Sequence, residues 1–91
     1  MSTFHLIISG RVQGVGYRAW ASQQAKKLGL SGWVRNRRDG TVEALVSGDA
    51  DMLDSMVEYC HEGPIAARVD RVSVHEVNEP VPEGFAQKET V

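Results

Sequence analysis

Gly10-Arg11-Val12-Gln13-Gly14-Val15-Gly16-Tyr17-Arg18 is the stretch that decides how this chain folds. Ahead of it Phe4, Leu6 and Ile8 alternate as in a strand, and Ile7 on the opposite phase marks that strand as a central one. Behind it Ala21, Ala25 and Leu28 recur at i, i+4 and i+7, with Trp20 widening the stripe. The spacing predicts a helix from Arg18 to Leu28, stopped by Gly29. In between, Gly10, Gly14 and Gly16 let the backbone turn tightly, adopt positive φ and bring its N–H groups close to a ligand. A concave run of N–H groups is an anion nest, and a helix start adds partial positive charge. Arg18, at the junction, contributes a planar fork of donors suited to carboxylate or phosphate. A phosphate-sized anion is expected here.

Working outward, Trp33 to Arg37 alternates again and meets Asp39-Gly40, a hairpin signal. Thr41 to Ser47 is the return strand, with Val42, Ala44 and Val46 on one face. Asp49 is a suitable N-cap with Asp51 in the first turn, opening a helix that places Leu53, Met56, Val57 and Cys60 at i, i+3, i+4 and i+7. Gly63-Pro64 ends it. Arg68 to Val77 reads as a long last strand whose apolar phase shifts between Val69 and Val72, the mark of a bulge. Residues 79–84 read as a loop, with a short strand near Phe85. The order βαββαβ is the split-βαβ, ferredoxin-like α+β arrangement: a four-stranded antiparallel sheet, order 4-1-3-2, with both helices on one face. In that topology the glycine loop and the end of strand two meet at the same edge. Asn36 lies there, in phase with Val34, so its amide faces the helix-covered side, where it needs partners or a task.

Ninety-one residues suffice for one modest core, so residues 1–91 are expected to form a single domain. A hydrophobic share of 42% and a charged share of 24% fit an ordinary globule rather than a disordered or fibrous chain. No apolar run approaches a membrane span, and the N-terminus lacks a signal-peptide pattern. The single cysteine, Cys60, precludes an internal disulfide and fits a reducing cytoplasm. Net charge is −2 but unevenly placed: residues 1–48 carry seven Lys/Arg against Asp39 and Glu43, while residues 49–91 carry three against ten carboxylates. The basic excess surrounds the glycine loop and Arg35 to Arg38, which favours an anionic ligand at that end.

Two separated motifs at this distance, Gly10 to Arg18 and Gly32-Trp33-Val34-Arg35-Asn36, followed by Asp39-Gly40-Thr41-Val42-Glu43, make the chain resemble the acylphosphatases. Ala67-Arg68-Val69-Asp70-Arg71-Val72 extends the resemblance into the last strand; Phe85 to Val91 matches more loosely. The resemblance implies a small cytosolic monomer that hydrolyses the carboxyl–phosphate bond of acyl phosphates without metal or other cofactor. It implies that Arg18 and the loop amides of Gln13, Gly14, Val15, Gly16, Tyr17 and Arg18 bind the phosphate, and that Asn36 positions the attacking water. Inorganic phosphate is then product and inhibitor. The residues agree with this chemistry by themselves. A carboxylate leaves without a strong general acid, the motifs hold no evident acid or base, and phosphoryl transfer depends on positioning and electrostatics. The substrate phosphate is therefore the expected base.

Other readings fare worse. Gly14-x-Gly16-x-x-Ala19 with Asp39 mimics a dinucleotide fingerprint, but Asp39-Gly40 turns a hairpin where that fold needs a parallel strand. No Gly-Lys-Ser/Thr follows, so a Walker loop is excluded. The alternative of another class is a non-catalytic binding module for RNA or a protein partner, since βαββαβ also serves RNA recognition. Thr41 to Val46 lacks the aromatics such a module stacks on bases, and net acidity argues against nucleic acid. A catalytically idle domain is a further possibility, because similar sequences form the N-terminal portion of a hydrogenase-maturation carbamoyltransferase. Taken singly, Arg18 is an ordinary helix-start arginine and Asn36 an ordinary strand end; only their joint pattern lifts them. Tyr17 and Trp20 read as packing residues, and Val12, Gln13 and Val15 as acting through the backbone. Arg35, Arg37 and Arg38 are a solvated face with some steering value. His5, His61 and His75 show no metal-ligand spacing, and Cys60 sits in an apolar stripe as a buried small hydrophobe. Glu89-Thr90-Val91 resembles a PDZ ligand only by chance.

Overall fold

A computed structural model describes all residues, Met1–Val91. Seven elements follow in order: β1 (Ser2–Arg11), α1 (Tyr17–Lys27), β2 (Ser31–Asn36), β3 (Val42–Gly48), α2 (Ala50–Glu62), β4 (Arg68–Glu76) and β5 (Phe85–Gln87). The sheet order is β4-β1-β3-β2-β5. The expected 4-1-3-2 arrangement is present, and β5 extends it to five strands. β5 runs parallel to β2, with Gly32 opposite Phe85 and Val34 opposite Gln87, whereas the other pairs are antiparallel. An all-antiparallel four-stranded sheet would leave the β2 edge unpaired, and the C-terminal segment removes that edge. The chain continues past β5 along the same strand, with Lys88 N–H donating to Val34 O at 2.8 Å and Val91 N–H to Asn36 O at 3.2 Å.

Period-two alternation decides which sheet face is covered. Leu6 and Ile8 of β1, Val34 of β2, and Val42, Ala44 and Val46 of β3 are buried, and they pack on Ala21 and Ala25 of α1 and Leu53, Met56 and Cys60 of α2. Burying each Val, Leu, Ile or Met side chain contributes about 1.5–3 kcal/mol, so this cluster holds the helices to the sheet. Gly29 closes α1 in a left-handed conformation at φ 70°. Gly29 N–H bonds Lys26 O and Leu30 N–H bonds Ala25 O, the paired bonds of a Schellman stop. Asp49 occupies the N-cap of α2 in extended conformation, but its side chain makes no capping bond. The predicted bulge lies at Asp70: Ser9 pairs with Arg71 and Gly10 with Val69. A Cβ on Gly10 would collide with the Arg68 carbonyl, so this close approach requires glycine.

The opposite sheet face is also organised. Leu45 points away from the helices yet is only 2% exposed. Trp33 lies across from it in register, and Pro80, Pro82 and Phe85 share the groove it lines. Arg35 and Lys88 sit over the Trp33 ring at 4.4 and 4.8 Å from its centroid. Beside it Glu43 accepts from His5 Nε2 at 2.7 Å and from Arg35 Nε at 2.6 Å. No helix is long and apolar enough to cross a membrane.

Burial works against the Glu43 charge, but the hydrogen bonds from His5 and Arg35 and the Arg35 charge outweigh it, so its carboxyl titrates below the ordinary glutamate value of 4.5. A carboxylate whose folded pKa is depressed stabilises the fold fully above its unfolded pKa, and that stabilisation drains away as pH falls through the folded value. Unfolding free energy is therefore expected to decline below pH 4.5, and Glu43→Gln to flatten that decline. Urea unfolding at pH 6, 4.5 and 3 checks this; an equally steep acid limb in the variant would remove Glu43 as a contributor.

Candidate active site

Between β1 and α1 the backbone alternates between anchored and open positions. Val12 and Tyr17 are buried in the core and Val15 packs against it, while Gly14 and Gly16 between them are exposed. Both glycines are left-handed, at φ 74° and 79°, and no atom lies within 4 Å of where a Cβ would stand. Gly16 is the N-cap of α1, without a side-chain cap and with no acidic residue in the first turn. No acceptor of the chain takes the N–H of Gly14, Val15, Gly16, Tyr17 or Arg18. Five consecutive donors at a helix start thus lack an acceptor in the chain, and the first turn holds no carboxylate. This is the arrangement that binds an oxyanion.

Arg18 opens α1 and is half-buried. The four ion pairs are His5–Glu43, Arg35–Glu43, Arg37–Asp39 and Arg68–Asp70, and Arg18 belongs to none of them. Its guanidinium remains available to a ligand. Asn36 ends β2 opposite Val42 in the ladder, which puts it on the helix side with the buried Val42. Arg18 and Asn36 line one pocket of about 150 Å³ together with Gly14, Gly16 and Tyr17, over a floor that includes Val12. The pocket is small, of a size for a phosphoryl group rather than a large ligand.

Two predicted loop members do not line it. Val15 turns into the core, and the Gln13 side chain reaches the β2–β3 hairpin, where Nε2 donates to Arg37 O at 2.7 Å and Thr41 O at 2.8 Å. Gln13 therefore acts through its side chain as well, contrary to the expectation of a backbone role alone. Gln87 is a lining residue that sequence reasoning missed. It reaches the site because β5 pairs with β2 two residues before Asn36, and no local pattern signals that pairing. Trp20 stacks at a tilt on Tyr17, centroids 5.6 Å apart, so both aromatics serve packing.

The nucleophile candidates are quiet. Tyr17 Oη donates to Cys60 O at 2.7 Å. Burial, with Cys60 adding to it, pushes the phenol far above its ordinary range, so it stays protonated. Burial pushes the Cys60 thiol up to about 11 against the Tyr17 hydrogen bond, leaving it unreactive. No three His, Cys, Asp or Glu side chains come together as a metal site.

Fold and pocket together describe a small α+β structure with a run of acceptor-free backbone donors beside an unpaired arginine. Residues 4–87 match the acylphosphatase family model. The chain is 56% identical over 78 residues to the acylphosphatase of Alcanivorax borkumensis, covering 86% of this chain and 85% of that protein. It is 54% identical over 89 residues to that of an Acidovorax species, covering 98% and 92%. The crystal structure of Bacillus subtilis acylphosphatase superposes with a TM-score of 0.92 at 38% identity, covering 97% of this chain and 99% of that one. This chain belongs to the acylphosphatase family.

Only conformational strain opposes a side chain at Gly16, because the space around it is open. Gly16→Ala is expected to cost about 1–2 kcal/mol and to weaken phosphate binding as the loop relaxes toward negative φ. Urea unfolding and calorimetric titration with inorganic phosphate test this; wild-type phosphate affinity in the variant would show that the left-handed turn does not shape the nest.

Proposed function

We infer that this enzyme hydrolyses the carboxyl–phosphate bond of acyl phosphates, with Arg18 and the backbone N–H groups of the Gln13–Arg18 loop holding the phosphoryl group and Asn36 positioning water. One observation carries the reading: a pocket of about 150 Å³ is shared by Gly14, Gly16, Tyr17 and Arg18, whose N–H groups have no acceptor, by an Arg18 guanidinium without an ion pair and by the strand-end Asn36. Donors fixed before the reaction stabilise the equatorial oxygens without reorganising. The Asn36 side-chain oxygen accepts a hydrogen bond from water and holds it near phosphorus. As the water oxygen bonds to phosphorus, the bond to the carboxylate oxygen breaks, and the carboxylate leaves with the electron pair. The water proton passes to a non-bridging phosphate oxygen, giving carboxylate and inorganic phosphate. Positive potential comes from Arg18 and the helix start, so the route requires no metal ion or organic cofactor.

The same reading makes inorganic phosphate a product inhibitor and the working unit a monomer of one domain, residues 1–91; a single hydrophobic cluster and a single sheet support the latter. One free, buried cysteine supports a reducing, cytoplasmic setting. A role in binding nucleic acid is disfavoured, because on the sheet face opposite the helices Trp33 is already covered by Arg35 and Lys88.

Hydrolysis of benzoyl phosphate in the presence of chelator tests the assignment. Arg18→Ala is expected to reduce kcat/KM by roughly 10²–10³-fold, the effect of removing one oxyanion donor, and to abolish phosphate inhibition. Wild-type inhibition by phosphate in that variant would overturn the cradle. Asn36→Ala is expected to lower kcat by roughly 10²-fold while phosphate still inhibits. Parallel loss of inhibition would make Asn36 a binding residue.

A further inference from the structure

The two halves of the site come from strands that do not touch. The nest follows β1 and Asn36 ends β2, and β3 lies between them in the sheet. No ladder hydrogen bond joins β1 to β2 directly; Val42 of β3 pairs with both Ile8 and Asn36, and the loop lies beyond that last β1 pair. One side chain spans the gap. Gln13, inside the loop, uses both N–H groups of its carboxamide, on Arg37 O at 2.7 Å and on Thr41 O at 2.8 Å. Arg37 is the residue after Asn36, and Thr41 closes the hairpin from the other side.

Neither carbonyl needs Gln13 for its own satisfaction. Thr41 O already accepts the Arg37 N–H at 2.9 Å, and Arg37 O accepts the Gly40 N–H at 3.1 Å. Asp39 stabilises the turn further, its Oδ1 accepting from the Thr41 N–H and hydroxyl at 3.0 and 2.6 Å. The hairpin is complete without the carboxamide, so the two bonds serve chiefly to join hairpin and loop. The chemistry of the side chain is specific to that task. Asparagine is one methylene shorter, leucine has no donors, and glutamate would set a carboxylate against two carbonyl oxygens.

We propose that Gln13 is a positioning residue that locks the anion loop to the end of β2 and acts on hydrolysis through Asn36. The inference rests on the functional reading above. Phosphate affinity belongs to the loop and Arg18, whereas the alignment of water with phosphorus depends on the loop-to-hairpin distance. A misplacement of about 1 Å costs about 10²-fold in rate, so breaking the lock affects kcat far more than phosphate binding.

The test is a double-mutant cycle with benzoyl phosphate, following kcat, KM, phosphate inhibition and thermal stability for Gln13→Leu, Asn36→Ala and the double variant. Gln13→Leu alone is expected to lower kcat by about 10–100-fold with phosphate inhibition within about twofold of wild type. In the Asn36→Ala background the same substitution is expected to change kcat by less than about threefold, because the group it positions is gone. Gln13→Asn, which keeps a polar amide but is too short, carries the same expectation should the leucine variant fail to fold. A lowered melting temperature with unchanged kcat would make Gln13 a structural strut and overturn the proposal. Phosphate inhibition weakened in step with kcat would make the Gln13 side chain part of the cradle, and multiplicative losses in the double variant would show that it acts independently of Asn36; either result overturns it. Wild-type protein inert toward benzoyl phosphate would overturn the functional reading and this inference with it, whereas active wild type with unaffected Gln13 variants overturns the inference alone.

Discussion

Five consecutive peptide N–H groups, Gly14 to Arg18, find no acceptor in their own chain, and much of the molecule is arranged around keeping them so. Backbone donors left unmatched away from water are costly, and Gly14, Gly16, Tyr17 and Arg18 line an open pocket. Holding them there requires left-handed glycines at 14 and 16, and it requires that the intervening residues be fixed from beneath. Val12, Val15 and Tyr17 do that by entering the core. Tyr17 is further pinned by its hydrogen bond to the Cys60 carbonyl in α2. Loop shape is thus set by the same hydrophobic cluster that holds the helices to the sheet.

The two sheet faces divide the labour. The helix-covered face carries the core and, at one end, the pocket. The other carries a polar and aromatic network in which Glu43 joins His5 to Arg35, and Arg35 and Lys88 flank Trp33. Arg35 and Asn36 are adjacent on β2 and point to opposite faces, so the network steadies the strand from which Asn36 projects. Gln13 steadies the same strand end from the side of the loop.

Periodicity and turn chemistry made most of the architecture legible. Alternation in Phe4 to Ile8 and Val42 to Val46 identified the covered face, and Asp39-Gly40 identified the hairpin. A phase shift between Val69 and Val72 identified the bulge that the ladder places at Asp70. Arg18 and Asn36 were legible as a pair because topology brings a loop after β1 and the end of β2 to one edge. The parallel pairing of β5 was not legible, since three residues of strand carry little pattern and their partner is some fifty positions away in sequence. Gln87 was missed for the same reason, and nothing local to Leu45 signals its burial, since residues 79–86 share the groove it lines.

By itself, then, the sequence determined the elements, their order, the covered face and the glycine turns of the loop, because each is written in contacts between residues close along the chain. Only the tertiary structure decided which strand closes the β2 edge, what covers Leu45, and where the Gln13 carboxamide goes. Gln13 lies 24 residues from Arg37 and 28 from Thr41. A hydrogen bond across such a separation depends on two backbones arriving within ångströms of each other, and only completed packing of β1, β3 and β2 sets that distance.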